Sequence, residues 1–143
     1  MVMDRKDAKG KPSVLVVDDE AEIREEVMDA LIDEGLTVFE ASSVDEALIT
    51  ISENREIEVV VADLRMPHRL GVDLVTEMAG DDTRNICVII MTGHVSGDLG
   101  ITLTGLNVFS VLSKPVDCYE LIETVNLAMR SMKGSVRNSV SFH

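Results

Sequence analysis

A chain of 143 residues with 45% hydrophobic content can bury one sizeable core and is too short for two ordinary domains. Its 26 acidic and 13 basic residues give a formal net charge of −13 with no lysine or arginine run, which argues against direct nucleic-acid binding. Cys87 and Cys118 lack His or Cys neighbours at ligand spacing, no apolar run approaches the length of a membrane span, and the polar start MVMDRKDAKGKP has no export core; zinc, disulfides, membrane insertion and secretion all fit poorly, and a reduced, cytoplasmic setting fits best.

In chain order, residues 1–12 have loop-like composition and read as a flexible amino-terminal segment. Val14 to Val17 is the first of five short apolar runs, and Ile23, Val27 and Leu31 then step by four and stop before Gly35, predicting an amphipathic helix with a left-handed cap. The second run is Thr37 to Phe39, after which Ser43 and Glu46 make a capping box ahead of Ala47, Leu48 and Ile51. Val59 to Ala62 is the third run, with a helix expected over 71–79. Ile86 to Met91 is the fourth, followed by a weaker helical signal over about 97–105. In VSGDLGITLTGL, residues 95–106, Gly100 costs about 1 kcal/mol and Ile101, Thr102 and Thr104 roughly 0.4–0.7 each, so a short, distorted or displaced helix is expected there. Val108 to Leu112 is the fifth run, and Asp117 with Glu120 caps a last helix carrying Leu121, Val125, Ala128 and Met132. Residues 133–143 read as a flexible carboxy-terminal tail, leaving 13–132 as the folded domain.

Four of the five runs are continuous rather than alternating, which suits strands buried on both faces of a parallel sheet. Strand and helix alternate five times, so the fold class is α/β, a doubly wound five-stranded parallel sheet flanked by five helices. In such a sheet every strand ends at one edge, where ligands bind. Asp18 and Asp19 follow the first strand, Asp63 the third, Thr92 and Gly93 the fourth, and Lys114 and Pro115 the fifth. Each has an ordinary use when taken alone: acids cap helices, threonine-glycine makes turns, and a lysine at a strand exit is solvated. Their convergence is what carries weight. Three crowded carboxylates need a cation, and oxygen ligands without His or Cys favour Mg2+, with Mn2+ as the alternative. Lys114 adds a second positive charge, Thr92 a hydroxyl donor, and Asp63 a carboxylate able to act as nucleophile toward phosphorus.

With Val16-Val-Asp-Asp-Glu20, Asp63-Leu-Arg-Met-Pro67, Met91-Thr-Gly-His94 and Leu112-Ser-Lys-Pro115 in order, the chain resembles the response-regulator receiver domain of two-component signalling over roughly residues 13–132. The resemblance implies a flavodoxin-like strand order 2-1-3-4-5. It also implies that Asp63 takes a phosphoryl group from a sensor histidine kinase or histidine phosphotransfer protein and that Asp18, Asp19, Asp63 and the Arg65 backbone carbonyl hold Mg2+. Thr92 would bind the phosphoryl oxygen, Lys114 would pair with it, and the Lys114–Pro115 peptide would be cis. An effector domain or downstream protein would receive the signal, and no outside substrate would be turned over. Where the family commonly has an aromatic three residues before the lysine, this chain has Val111, with Phe109 two residues away. Asn107 stands where glycine is frequent. Two competing readings are a receiver-like binding module that is never phosphorylated and a small metal-dependent phosphatase; the latter usually carries a second acid two residues after its nucleophile, where this chain has Arg65. His94, two residues beyond Thr92, reads as a loop residue lining the site, Cys87 as a buried strand side chain, and Met66 as packing for the loop that follows Asp63.

Overall fold

The computed structural model describes residues 11–78, 85–93 and 108–138. Its five main strands are β1 (Ser13–Val17), β2 (Thr37–Ala41), β3 (Ile57–Asp63), β4 (Cys87–Thr92) and β5 (Ser110–Ser113), all parallel and ordered β2-β1-β3-β4-β5. Four helices are described: α1 (Ala21–Asp33), α2 (Val44–Glu53), α3 (Gly71–Met78) and α4 (Cys118–Asn138). The fifth expected helix, over about 97–105, lies outside the described residues, as do His94 and Asn107. The strand order and the doubly wound arrangement are those expected; the first three strands are longer than their apolar runs, the fourth is shifted by one residue and the fifth is shorter.

The continuous runs work because a strand's two faces are both covered. Leu15, Val17, Val60, Ala62, Val88 and Ile90 point to one side, where α2 and α3 supply Ala47, Ile51, Leu74 and Val75. Val14, Val16, Val59, Val61, Ile89 and Met91 point to the other, against Val27 and Leu31 of α1 and Leu121, Val125 and Ala128 of α4. Alternate residues therefore serve opposite cores, as the two-residue period of a strand dictates. Each large side chain fully buried this way, Leu31 and Leu121 among them, contributes about 1.5–3 kcal/mol relative to exposure.

The helix ends follow from short-range chemistry. Gly35 takes φ +84, and its N–H donates to the Ile32 carbonyl while that of Leu36 donates to Leu31, closing α1 in a Schellman motif. Ser43 Oγ accepts the Glu46 N–H to start α2. The reciprocal arm differs from the expected box, because the Glu46 carboxylate takes the Ser42 N–H and hydroxyl instead, and these contacts hold its pKa below the usual range. Asp117 Oδ1 accepts from the Tyr119 and Glu120 N–H groups at the start of α4. That helix runs on to Asn138, so residues 133–138, read from composition as tail, continue it.

Candidate functional site

Parallel pairing brings the strand ends to one edge. Val17 lies in register with Ala41 and Ala62, Asp63 with Met91, and Thr92 with Ser113. The chain therefore leaves β1, β3, β4 and β5 within one crevice, and the residues just past those ends share it.

Asp18 is fully buried there. Its N–H donates to the Ala41 carbonyl at 3.2 Å, and its Oδ1 accepts the Glu20 N–H at 2.9 Å. That bond is an Asx-turn onto Glu20, the N-cap residue of α1, and caps no N–H within the helix; Glu20 makes no side-chain cap either. The turn occupies only one oxygen. The other, Oδ2, faces Lys114 Nζ at 3.1 Å, and the same ammonium lies 3.2 Å from Asp63 Oδ1. Lys114 reaches this point because its N–H is fixed to the Thr92 carbonyl at 2.8 Å, and the peptide that follows it to Pro115 is cis, as the sequence resemblance implies.

Asp63 is nearly buried at the end of β3. Burial pushes its carboxyl above the usual range; the positive charge of Lys114 opposes this, the nearby Asp18 carboxylate adds to it, and the Arg65 N–H lowers it by donating to the Asp63 carboxylate. For Lys114 burial disfavours the ammonium, but the Asp18 hydrogen bond and the two nearby carboxylates outweigh it and hold its pKa above the ordinary lysine value. Carboxylate oxygens of Asp18, Asp19 and Asp63 lie within 4.8 Å of one another, with Asp19 exposed at the mouth. A donor set of oxygens alone, open on one side, fits a hard divalent cation such as Mg2+ that keeps part of its water shell. Three carboxylates against one ammonium leave a net negative pocket, which is the electrostatic requirement for such an ion.

The loop after Asp63 is more ordered than its sequence suggests. The Leu64 N–H donates to the Met91 carbonyl and the Leu64 carbonyl accepts from Gly71 at 2.7 Å. Between them Arg65–Met66 pairs antiparallel with Arg69–Leu70 across a Pro67-His68 turn, with His68 at φ 72. Leu64 and Met66 are buried in the core, the packing role anticipated for Met66. Arg69 then ties the ribbon to two helices, donating to Asp45 of α2 at 2.7 Å and pairing with Glu77 of α3. Gly71 is required by contact: a Cβ there would stand 2.2 Å from the Asp63 backbone oxygen.

The structure thus brings Asp18, Asp19, Asp63 and Lys114 together, places the buried Thr92 on the same edge, and leaves the Arg65 side chain exposed with its amide turned to Asp63. Sequence reading missed Arg24 and Arg69, whose reach follows from no periodicity. Cys87 is half-buried rather than buried, its Sγ 3.6 Å from Ser131 Oγ and its thiol pushed up by burial.

The family description "Response regulator receiver domain" matches residues 14–126, a span that contains Asp18, Asp19, Asp63, Thr92 and Lys114. The chain belongs to the response regulator receiver family. It is similar to the transcriptional regulatory protein PdtaR of Mycobacterium tuberculosis, 27% identical over 123 residues, covering 86% of this chain and 59% of PdtaR. Among solved structures it resembles a response regulator receiver protein from Pseudomonas putida, with TM-score 0.77, 30% identity, and 82% and 98% of the two chains covered. A receiver domain protein from Clostridium thermocellum gives TM-score 0.76 and 34% identity over 85% of this chain and 97% of that one. The receiver thus spans less than two thirds of its curated relative's length and nearly all of the solved receivers. Receiver domains pair with histidine kinases and effectors, and this receiver has the acidic pocket and lysine of the family. No helix among the described residues is long and apolar enough to cross a membrane.

Proposed function

We propose that residues 13–132 form a phosphoacceptor receiver, in which Asp63 takes a phosphoryl group from a phosphohistidine of a sensor kinase or histidine phosphotransfer protein. The observation that carries this reading is Lys114 Nζ standing 3.1 Å from Asp18 and 3.2 Å from Asp63, at the rim of a three-carboxylate pocket. A purely structural ion pair needs one acid; two more with an open side call for a cation and an anionic ligand.

Asp19, Asp63 and the Arg65 carbonyl, with Asp18 behind them, would hold Mg2+, which when bound neutralises charge on the incoming phosphoryl oxygens. In the transfer an Asp63 carboxylate oxygen bonds to phosphorus as the donor's N–P bond breaks, and the departing imidazole nitrogen keeps the electron pair and takes a proton from solvent. Burial makes the Asp63 oxygen more basic and so a better nucleophile, while Lys114 limits the rise and pairs with the phosphoryl oxygen that arrives. The Thr92 hydroxyl donates to another phosphoryl oxygen and moves β4's end when it does. Hydrolysis reverses the state: water attacks phosphorus, the aspartyl O–P bond breaks, and inorganic phosphate leaves. Partner binding at kinase and effector then follows the phosphorylation state, in the cytoplasm and without direct contact to nucleic acid by this domain.

Acetyl phosphate with Mg2+ tests the reading. Intact mass is expected to rise by one phosphoryl group in the wild type and not in Asp63→Asn or after chelation. An Asp63→Asn protein labelled at undiminished yield would defeat the assignment. Absence of Mg2+ binding would favour a receiver-like module that works without phosphorylation.

A further inference from the structure

We propose that Arg24 is a positioning residue for the cation site, acting through the peptide that joins Asp18 to Asp19; the proposal rests on the Mg2+-dependent phosphoacceptor reading. Arg24 lies in the first turns of α1, its own N–H bonded to the Glu20 carbonyl at 3.0 Å. Its guanidinium turns back over the end of β1. Nη1 donates to the Asp18 carbonyl oxygen at 2.8 Å, and Nε donates to Glu40 Oε1, also at 2.8 Å. The Arg24 side chain is only 16% exposed, whereas its partner Glu40 is 52% exposed.

The sheet ladder to β1 ends in register at Val17, so a carbonyl one residue further on has to find its donor elsewhere. Arg24 supplies it with a charge-assisted bond. The other polar groups of Asp18 are held as well: N–H to Ala41, Oδ1 from Glu20, Oδ2 from Lys114. Among the described residues, the Arg24 contact is the one that acts on the plane of the Asp18–Asp19 peptide at its carbonyl oxygen. Because that unit is planar, fixing the oxygen also fixes the Asp19 N and Cα, the point from which its side chain sets out toward the pocket. Asp19 is the exposed member of the acidic trio, on a loop residue whose own placement the core does not secure. An anchor that orients ligands without touching the ion typically changes metal affinity about 10–100-fold when removed.

Arginine suits the task because Nε and Nη1 serve two acceptors at once from one rigid fork, spanning Asp18 on β1's exit and Glu40 on β2; an ammonium serves them less well. If Arg24 merely paired with Glu40 across two surface elements, its loss would touch stability slightly and metal affinity not at all. Glu40 separates the two cases, since Glu40→Gln removes that ion pair and keeps the Asp18 contact.

The test is Mg2+ titration of the full chain, read by calorimetry and by the amide signals of Asp19 and Lys114, at a temperature where each variant's thermal transition shows it folded. Arg24→Ala is expected to weaken Mg2+ binding about tenfold, Arg24→Lys by a smaller factor, and Glu40→Gln by less than about twofold, within the spread of peripheral changes. In the double variant Arg24→Lys/Glu40→Gln the ammonium has lost its competing carboxylate, so affinity should recover from that of Arg24→Lys toward wild type. Wild-type affinity in both Arg24→Ala and Arg24→Lys, or a double variant no better than Arg24→Lys, would overturn the proposal while leaving the cation site intact. Should Arg24→Ala not fold, comparing Arg24→Lys with the double variant decides the question in the same way. A wild-type protein that does not bind Mg2+ would overturn both the proposal and the reading on which it rests.

Discussion

Replacing Gly71 by alanine adds a single methyl group whose effect can be worked out from contacts. The new Cβ would lie 2.2 Å from the Asp63 carbonyl oxygen, where ordinary contact begins at 3.4 Å, so one of them must retreat by 3.4 − 2.2, about 1.2 Å. Neither is free to do so cheaply. Gly71 N–H is bonded to the Leu64 carbonyl at 2.7 Å, and Asp63 sits in the β3 ladder opposite Met91. Alanine gains roughly 0.5–1 kcal/mol over glycine in helix propensity and unfolded-chain entropy, against about 1–3 kcal/mol for forcing a methyl group into a packed site. The steric term wins, and a net loss of about 1–2 kcal/mol should lower the melting temperature on the order of 5 °C. The larger consequence is functional, because the displaced backbone carries Asp63: a shift near 1 Å in a reacting group can cost on the order of 100-fold in rate. Thermal unfolding and the rate of labelling by acetyl phosphate measure the two effects together. A Gly71→Ala protein as stable as wild type and labelled at an equal rate would refute the reasoning.

Lys114→Met leaves the Asp18 and Asp63 carboxylates facing each other without compensation, and in chelator it is expected to lose about 3–5 kcal/mol in urea unfolding, part of it restored by Mg2+; a loss below about 1 kcal/mol would contradict the ion-pair geometry. Because the folded-state pKa of Asp63 is raised, the folded chain holds that proton more tightly than the unfolded chain, so the metal-free wild type loses stability as pH climbs from the ordinary 3.8 through the raised value. Asp63→Asn lacks that loss, and its melting temperature in chelator should exceed that of wild type by a margin that grows across this window and then levels off; a margin constant with pH would argue against it. Substituting Arg65, two residues beyond the acceptor with an exposed side chain, or His94, should alter the decay rate of the phosphorylated form more than Mg2+ affinity, since neither side chain need be a metal ligand. Unchanged decay in both variants would remove them from the hydrolysis step.

The elements legible in the sequence were those whose cause is local or periodic. Short continuous apolar runs such as Val14 to Val17 suit strands covered on both sides, and Gly35, Ser43 and Asp117 mark helix ends through contacts within a few residues. The convergence of Asp18, Asp19, Asp63 and Lys114 was legible because parallel strands share an edge; the strand order itself came from family resemblance. What escaped depends on reach rather than pattern. The ribbon of residues 65–70 is too short for any periodic signal, and its turn relies on His68 accepting a left-handed conformation. Arg24 and Arg69 act through side chains spanning between elements, so their partners Asp18, Glu40 and Asp45 are named only by the folded chain. Glu46 reaches Ser42 rather than Ser43 for the same reason. The continuation of α4 to Asn138 runs against the loop-like composition of GSVRN, the kind of propensity argument that an established helix can override.

Phosphorylation on the proposed reading falls on one particular oxygen-bearing side chain, that of Asp63. Borohydride reduces an acyl phosphate to an alcohol, which converts a phosphorylated aspartate to homoserine and leaves unmodified aspartates intact. After reaction with a phosphohistidine donor and Mg2+, peptide sequencing by mass spectrometry should find homoserine at position 63, and at that position alone among the carboxylates of the pocket. Homoserine at 18 or 19, or a phosphorylated chain with unreduced aspartate at 63, would contradict the account.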